Sequence, residues 1–326
     1  MPSVHAYQFL PTRAPALVRR LVGKLPVDGV RPVLDLEDSI ADALVPDRTP
    51  WLKASARRDL EALLAHGYLP PCGTIGVRVN ARGTSYHEAD MAAVARLRRA
   101  GVALFVVLPK VESADDVAAF DAFLEAEHAP VTPVVPTLET GMGVRRAREI
   151  AAAGRAPAGL VVGIIDYALD QHLWPFPDAF DPLVWRVAEV ASEAAASRGI
   201  PYIHPPSMWL RDAEAMRRIR SRVLDLPAVR ANHGVPPGIA SLGFEQTRAI
   251  VGAGAPAAFP AVASARPPTA APASDGLTTA RRLVDVFRTR SNGKRSFSVD
   301  DSLDRFIPPQ EYQAAIRVLE EAGFGP

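Results

Sequence analysis

The run GLVVGII, from Gly159 to Ile165, constrains the fold more than any other stretch because it is apolar from end to end. A strand with one face in water alternates apolar and polar residues. An unbroken short apolar run reads instead as a strand covered on both faces, as in a parallel sheet. Parallel neighbours cannot be joined by a tight turn, so such a strand requires further strands with helices between them. The sequence supplies both. Strand-like segments VHAYQFL, RPVLDLEDSI, TIGVRVN, VALFVVLPK, VTPVVPTL and IPYIHPP alternate with helix-period runs such as WLKASARRDLEALLAHG, EADMAAVARLRRAG and SADDVAAFDAFLEAE. PGIASLGFEQTRAIVGAG adds an eighth short strand and a helix. About eight repeats predict an α/β protein, a TIM (β/α)8 barrel over residues 1–254. Residues 255–275 are Ala/Pro-rich without amphipathic period and read as a semi-stiff linker. Residues 276–326 regain a helical pattern and are expected to form a C-terminal helical lid or a subunit-exchanged arm.

Charge and cysteine content exclude several classes. A formal net charge of +1, with both signs spread along the chain, gives no broad basic face, so neither nucleic acid nor membrane is expected as a partner. Cys72 is the single cysteine, which excludes an intrachain disulfide and a multi-cysteine zinc site. Neither a signal-like N-terminus nor a run of ~18 apolar residues occurs, so a soluble, cytoplasmic protein is expected.

The chemistry is expected where strands end, because in α/β folds ligands gather at the carboxyl ends of parallel strands. Glu139 ends the apolar segment Val131 to Leu138 and is followed by Gly141 in the turn GMG; Asp166 ends GLVVGII. A pair of hard carboxylate oxygens completed by water and substrate is how Mg²⁺ is held, so this pair is read as a metal site for Mg²⁺, or Mn²⁺ in its place. Each acid alone also suits a helix's first turn. Asp35, Glu37 and Asp38 crowd the end of another strand, and such a cluster wants a basic group or metal nearby. Period-two alternation puts Asp35 and Glu37 on one face and Asp38 on the other. Arg78 stands between Val77 and Val79 and needs an anionic partner, either a substrate carboxylate gripped by its planar fork or a permanent ion pair with Glu37 or Asp38. Asn80 lies beside it as a polar substrate contact. Lys110 follows a strand end, where its ammonium would offset the acids or bind an anion. His5, His172 and His204 read first as structural groups.

With these residues in view, the chain resembles the citrate lyase β-subunit-like branch of the HpcH/HpaI aldolase superfamily. FLPTRAP, VLDLEDSI, VRVNARGT, LPKVESADDV, TLETGMGV and VGIIDYALD occur in the family's order. The resemblance implies a TIM barrel that binds Mg²⁺ through Glu139 and Asp166, with Arg78 on a substrate carboxylate or carbonyl oxygen and Glu37 and Asp38 supporting the ion's water shell or orienting Arg78. It implies a carbon–carbon lyase that works through a metal-stabilised enolate, usually as a homo-oligomer, a trimer or hexamer. Related lyases use an aspartate from a C-terminal lid, and SVDDSLDRF offers Asp300, Asp301 and Asp304. The first strand lacks the family's Arg ahead of LFVPG, Thr12 stands at a glycine position, and Gln171 and His172 replace a common Gly. These departures point to a carboxylate or phosphorylated substrate as well as to the usual acyl-CoA thioester. An acyl-CoA thioesterase, a malate-synthase-like condensing enzyme and a non-catalytic binding barrel are the competing readings.

Overall fold

The computed structural model describes residues 3–26, 28–64, 73–252, 276–290, 296–300 and 304–324. Eight parallel strands close into a barrel in chain order: β1 (His5–Pro11), β2 (Val30–Asp35), β3 (Ile75–Arg78), β4 (Leu104–Leu108), β5 (Val134–Leu138), β6 (Leu160–Val162), β7 (Tyr202–His204) and β8 (Gly238–Ser241). β8 returns to β1, with Gly238 opposite His5. Helices cross back outside, each burying one stripe. Thr49–Leu64 buries Ala56, Leu60, Leu63 and Leu64, and with them Lys53. Helix starts follow local chemistry: Ser113 and Asp116 form a reciprocal capping box ahead of Ala114–Ala126. Asp181 caps Pro182–Ala196 by accepting from the Leu183 N–H at 2.8 Å.

Inside the barrel, Tyr7, Val33, Phe105, Val107, Val135, Val161 and Ile203 form an apolar plug. The two big rings fit because Gly76 and Gly238 lack side chains: a Cβ at Gly76 would strike Phe105, and one at Gly238 would strike Tyr7. The rings meet edge to face, 6.1 Å apart. Emptying this floor with Phe105→Ala is expected to cost about 3–5 kcal/mol. One step along the same inward columns the chemistry changes. Val33 pairs with Gly76 in the plug, and two residues on Asp35 pairs with Arg78. The plug therefore carries a charged layer at the strands' carboxyl ends.

Two boundaries differ from the sequence expectation. The strand expected over GLVVGII stops at Val162, and Ile164–Asp170 is a helix that carries Asp166 in its first turn. Gly163 is the breakpoint, because Glu139 packs against it so closely that a Cβ there would overlap the carboxylate. The GMG run read as a turn is already helical from Gly141, because Thr140 caps that helix by accepting from the Gly143 N–H at 3.0 Å.

Beyond the barrel, the helix Gly276–Arg290, the antiparallel strands β9 (Ser298–Asp300) and β10 (Arg305–Ile307) and the helix Pro309–Glu321 share an apolar cluster. Phe287 and Tyr312 stack at its centre with ring centroids 4.3 Å apart. Ala43, Leu44 and Trp174 from the barrel's loops pack on this cluster, so the tail lies on its own chain's barrel. Cys72, the expected linker 255–275 and Asp301 lie outside the described residues. Among the described residues, no helix is long and apolar enough to cross a membrane.

Candidate active site

The charged layer is organised around Arg78. Its Nε and Nη2 donate to the two oxygens of Asp35, both at 2.7 Å, in a two-pronged pair. Its Nη1 stands 3.0 Å from Glu37 Oε2 and 3.4 Å from Asp38 Oδ2, and its face lies over the Phe9 ring. The Glu37 contact is an ion pair off the hydrogen-bonding direction. These contacts engage Arg78 on every nitrogen, and its principal partner is Asp35, which alternation placed on the correct face but did not single out. Asp35 also accepts the backbone N–H groups of Glu37 and Ser39, at 2.9 and 3.0 Å. Burial alone would raise this carboxyl; the charge and hydrogen bonds of Arg78, with those N–H groups, hold it well below the usual range.

The opposite wall is built by β5 and β6. Glu139 follows the last residue of β5, and its Oε1 accepts the Lys110 N–H at 2.6 Å. Lys110 has a φ of 53°, a left-handed conformation costly for a residue with a side chain. That turn aims both its amide and its ammonium at acids: Nζ lies 3.1 Å from Asp166 Oδ1 and 3.7 Å from Glu37 Oε1. The other oxygen of Asp166 accepts from Gln310 Nε2 at 3.0 Å, a bond made by the helix Pro309–Glu321. Sequence reasoning did not find Gln310, which has no periodic signal tying it to a position 144 residues away.

Electrostatics separate the two walls. Burial, with Asp166 and Glu37 beside it, pushes the Glu139 carboxyl well above its ordinary range. Burial and then Asp38 raise Asp166, against the pull of Lys110 and Arg78. Burial and then Asp38 push Glu37 up to about 8. Lys110 is raised in turn: burial works against its charge, but Glu37, Asp166, Asp38 and Glu139 more than offset it. Asp35, Glu37, Asp38, Glu139 and Asp166 thus face Arg78 and Lys110 with negative charge in excess. Among the described residues, no three His, Cys, Asp or Glu side chains converge to complete a metal's ligand set alone. A carboxylate pair that leaves positions to water and substrate is the arrangement suited to Mg²⁺.

Other candidates sit elsewhere. Asn80 faces away from the barrel's interior and is consumed by Lys53, Asp90 and the Leu36 carbonyl. The Gly141 N–H donates to Asp170 at 2.8 Å. Asp300 pairs with Arg282 at 2.8 Å and Asp304 with Arg211 at 3.5 Å. His204 is fully buried outside the barrel, stacked on Trp185 and bonded to the Tyr202 hydroxyl at 2.8 Å. His172 bonds Arg317 at 2.8 Å.

A family model described as HpcH/HpaI aldolase/citrate lyase matches residues 6–221. Among curated relatives, the citrate lyase subunit beta of Escherichia coli (strain K12) is 32% identical over 174 residues, 52% of this chain and 53% of that one. The chain thus spans about half the length of that relative. A citrate lyase subunit beta-like protein of Deinococcus radiodurans is 30% identical over 221 residues, 63% of this chain and 70% of that one. The solved citrate lyase beta subunit of M. tuberculosis, complexed with oxaloacetate and magnesium, superposes with a TM-score of 0.58 at 24% identity, covering 78% of this chain and 98% of that chain. That likeness supports the TIM barrel. The chain belongs to the HpcH/HpaI aldolase/citrate lyase family.

Proposed function

We propose, from the family to which the chain belongs, that it is a carbon–carbon lyase. It cleaves a small keto or hydroxy carboxylate by a retro-aldol or retro-Claisen route that leaves an enolate, with Mg²⁺ held by Glu139 and Asp166. One observation carries the reading: five acids, Asp35, Glu37, Asp38, Glu139 and Asp166, gather at one end of the barrel around two cations, Arg78 and Lys110, with Glu139 and Asp166 held side by side by the Lys110 N–H and ammonium. Hard carboxylate oxygens fit the ion, and Gly163 leaves Glu139 the room to stand there. When bound, Mg²⁺ supplies positive charge that polarises a substrate carbonyl and favours an enolate.

The chain's own residues do the rest. Arg78, locked by Asp35, contributes positive charge that needs no reorganisation as an oxyanion develops. With its nitrogens already engaged, it acts as a fixed field with two N–H groups uncommitted to hydrogen bonds rather than as a free two-pronged clamp. Glu37, raised by burial, is the carboxyl placed to carry a proton next to that field. Lys110 pairs with Glu37 and Asp166 and offsets part of their charge. Gln310 and its helix cover Asp166 from above and exclude water. The oxaloacetate in the solved relative is in keeping with this substrate class.

The test is a turnover screen with Mg²⁺, and with EDTA, over free hydroxy acids, acyl-CoA thioesters and phosphorylated acids, reading the keto acid released. Cleavage that requires the ion is expected, and Arg78→Lys is expected to lower kcat because an ammonium cannot keep the pair with Asp35. Cleavage indifferent to chelation removes the metal assignment. Release of CoA with the carbon skeleton intact replaces the lyase with a thioesterase.

A further inference from the structure

We infer that Lys53 is a positioning residue for the Glu37–Arg78 pair, acting through a buried charge chain that runs outward to Arg57. Lys53 is 4% exposed although it is charged. Its Nζ donates to the carbonyls of Leu36 at 2.8 Å and Glu37 at 2.5 Å and to Asn80 Oδ1 at 2.6 Å, which uses every proton an ammonium has. Asn80 passes the contact on: its Nδ2 donates to the Leu36 carbonyl at 2.9 Å and to Asp90 Oδ2 at 2.6 Å, and its backbone N–H donates to the same oxygen at 2.8 Å. Asp90, fully buried, ends the chain in an ion pair with Arg57 at 2.9 Å.

Burying an ammonium and a carboxylate is expensive, and well-packed apolar residues stabilise such a place as well or better. What the ions provide is direction. The Leu36 N–H already bonds the Arg78 carbonyl at 2.9 Å, joining the ends of β2 and β3. Lys53 grips the next carbonyls of one strand and the side chain of Asn80 on the other, on the outward side of both. On the inward side of the same two strand ends stand Glu37 and Arg78. The outer network therefore sets the register of the inner pair through its backbone, without touching either charged side-chain end.

This inference rests on the lyase reading only for its kinetic arm, so the experiment has two. In the first, without ligand or metal, melting temperatures are measured for Lys53→Met, Arg78→Lys and the double variant. A positioning role predicts that the double variant loses less than the sum of the single losses, because the two residues act on one unit. Additive losses mean that Lys53 is only a packing residue, and overturn the inference. Should Lys53→Met fail to fold, Lys53→Arg takes its place, since a guanidinium keeps the charge but cannot reach the same three acceptors. In the second arm, kcat/KM with Mg²⁺ falls about 10–100-fold in Lys53→Met, as for other groups that orient a site from behind. Wild-type turnover in a folded Lys53→Met protein also overturns it. A wild-type chain that cleaves nothing with Mg²⁺ counts against the lyase reading alone, and the melting cycle then decides the role of Lys53.

Discussion

Asp35 and Glu139 occupy equivalent places on opposite walls of one barrel mouth, 1% and 3% exposed, and behave oppositely. Burial raises both. Asp35 nevertheless ends far below its ordinary range because Arg78 meets it on both oxygens, whereas Glu139 ends far above because its neighbours Asp166 and Glu37 are acids too. A buried carboxylate is thus governed less by depth than by what stands next to it. On the wall from β2 and β3, Asp35 is electrostatically matched by Arg78. The wall from β5 and β6 is unfinished, and there a cation from solution has most to offer.

The comparison can be broken experimentally. The largest effect is expected from Glu139→Gln or Asp166→Asn: cation-dependent turnover falls at least about 10³-fold, since the ion's contribution is worth several kcal/mol. Thermal melts of the metal-free Glu139→Gln protein should show no loss, because an acid that faces other acids has gone. Asp35→Asn should do the reverse to stability, costing about 3–5 kcal/mol by leaving Arg78 without its partner in a buried setting. Equal destabilisation by Asp35→Asn and Glu139→Gln in urea titrations would erase the distinction between the walls. Gly163→Ala should cost about 1–3 kcal/mol through overpacking against Glu139, a loss readable in the same titrations.

The smallest effect is on the pH profile of metal-free stability. Glu37, Glu139 and Asp166 have raised pKa values when folded, so above pH 4.5 the unfolded chain releases protons that the folded one keeps. Stability should fall as pH climbs from there through the folded value of Glu37, about 8. Asp35 contributes the other way, its stabilisation present above its ordinary value of 3.8 and lost only in stronger acid. Thermal melts from pH 5 to 8 should slope downward, and Mg²⁺ should flatten them. A rising profile would mean that Glu37, Glu139 and Asp166 are not raised.

The barrel was legible because fully covered strands must be apolar throughout, and eight such segments separated by helical periods leave few alternatives. The strand-end acids were legible as a pair, because two apolar runs that each end on a carboxylate repeat one pattern, although either acid alone also suits a helix's first turn. The pairing of Arg78 with Asp35 was not, since three acids on one strand end compete and only register decides which lies opposite. Lys53 did leave a signal: it stands in phase with Ala56, Leu60 and Leu63 on a buried stripe, where an apolar residue is the norm. Gln310 left none, because nothing local announces a contact across such a distance. Asp300 and Asp304 came from the resemblance, and each has an arginine partner in the tail or the loops.

The bond from Gln310 to Asp166 also orders events in time. Synthesis delivers all eight barrel strands before that glutamine exists, so a ribosome-bound chain can fold its barrel with the mouth still bare. For that interval the acid-lined opening stands without its roof, so any cation that the acids attract can enter before the cover is made.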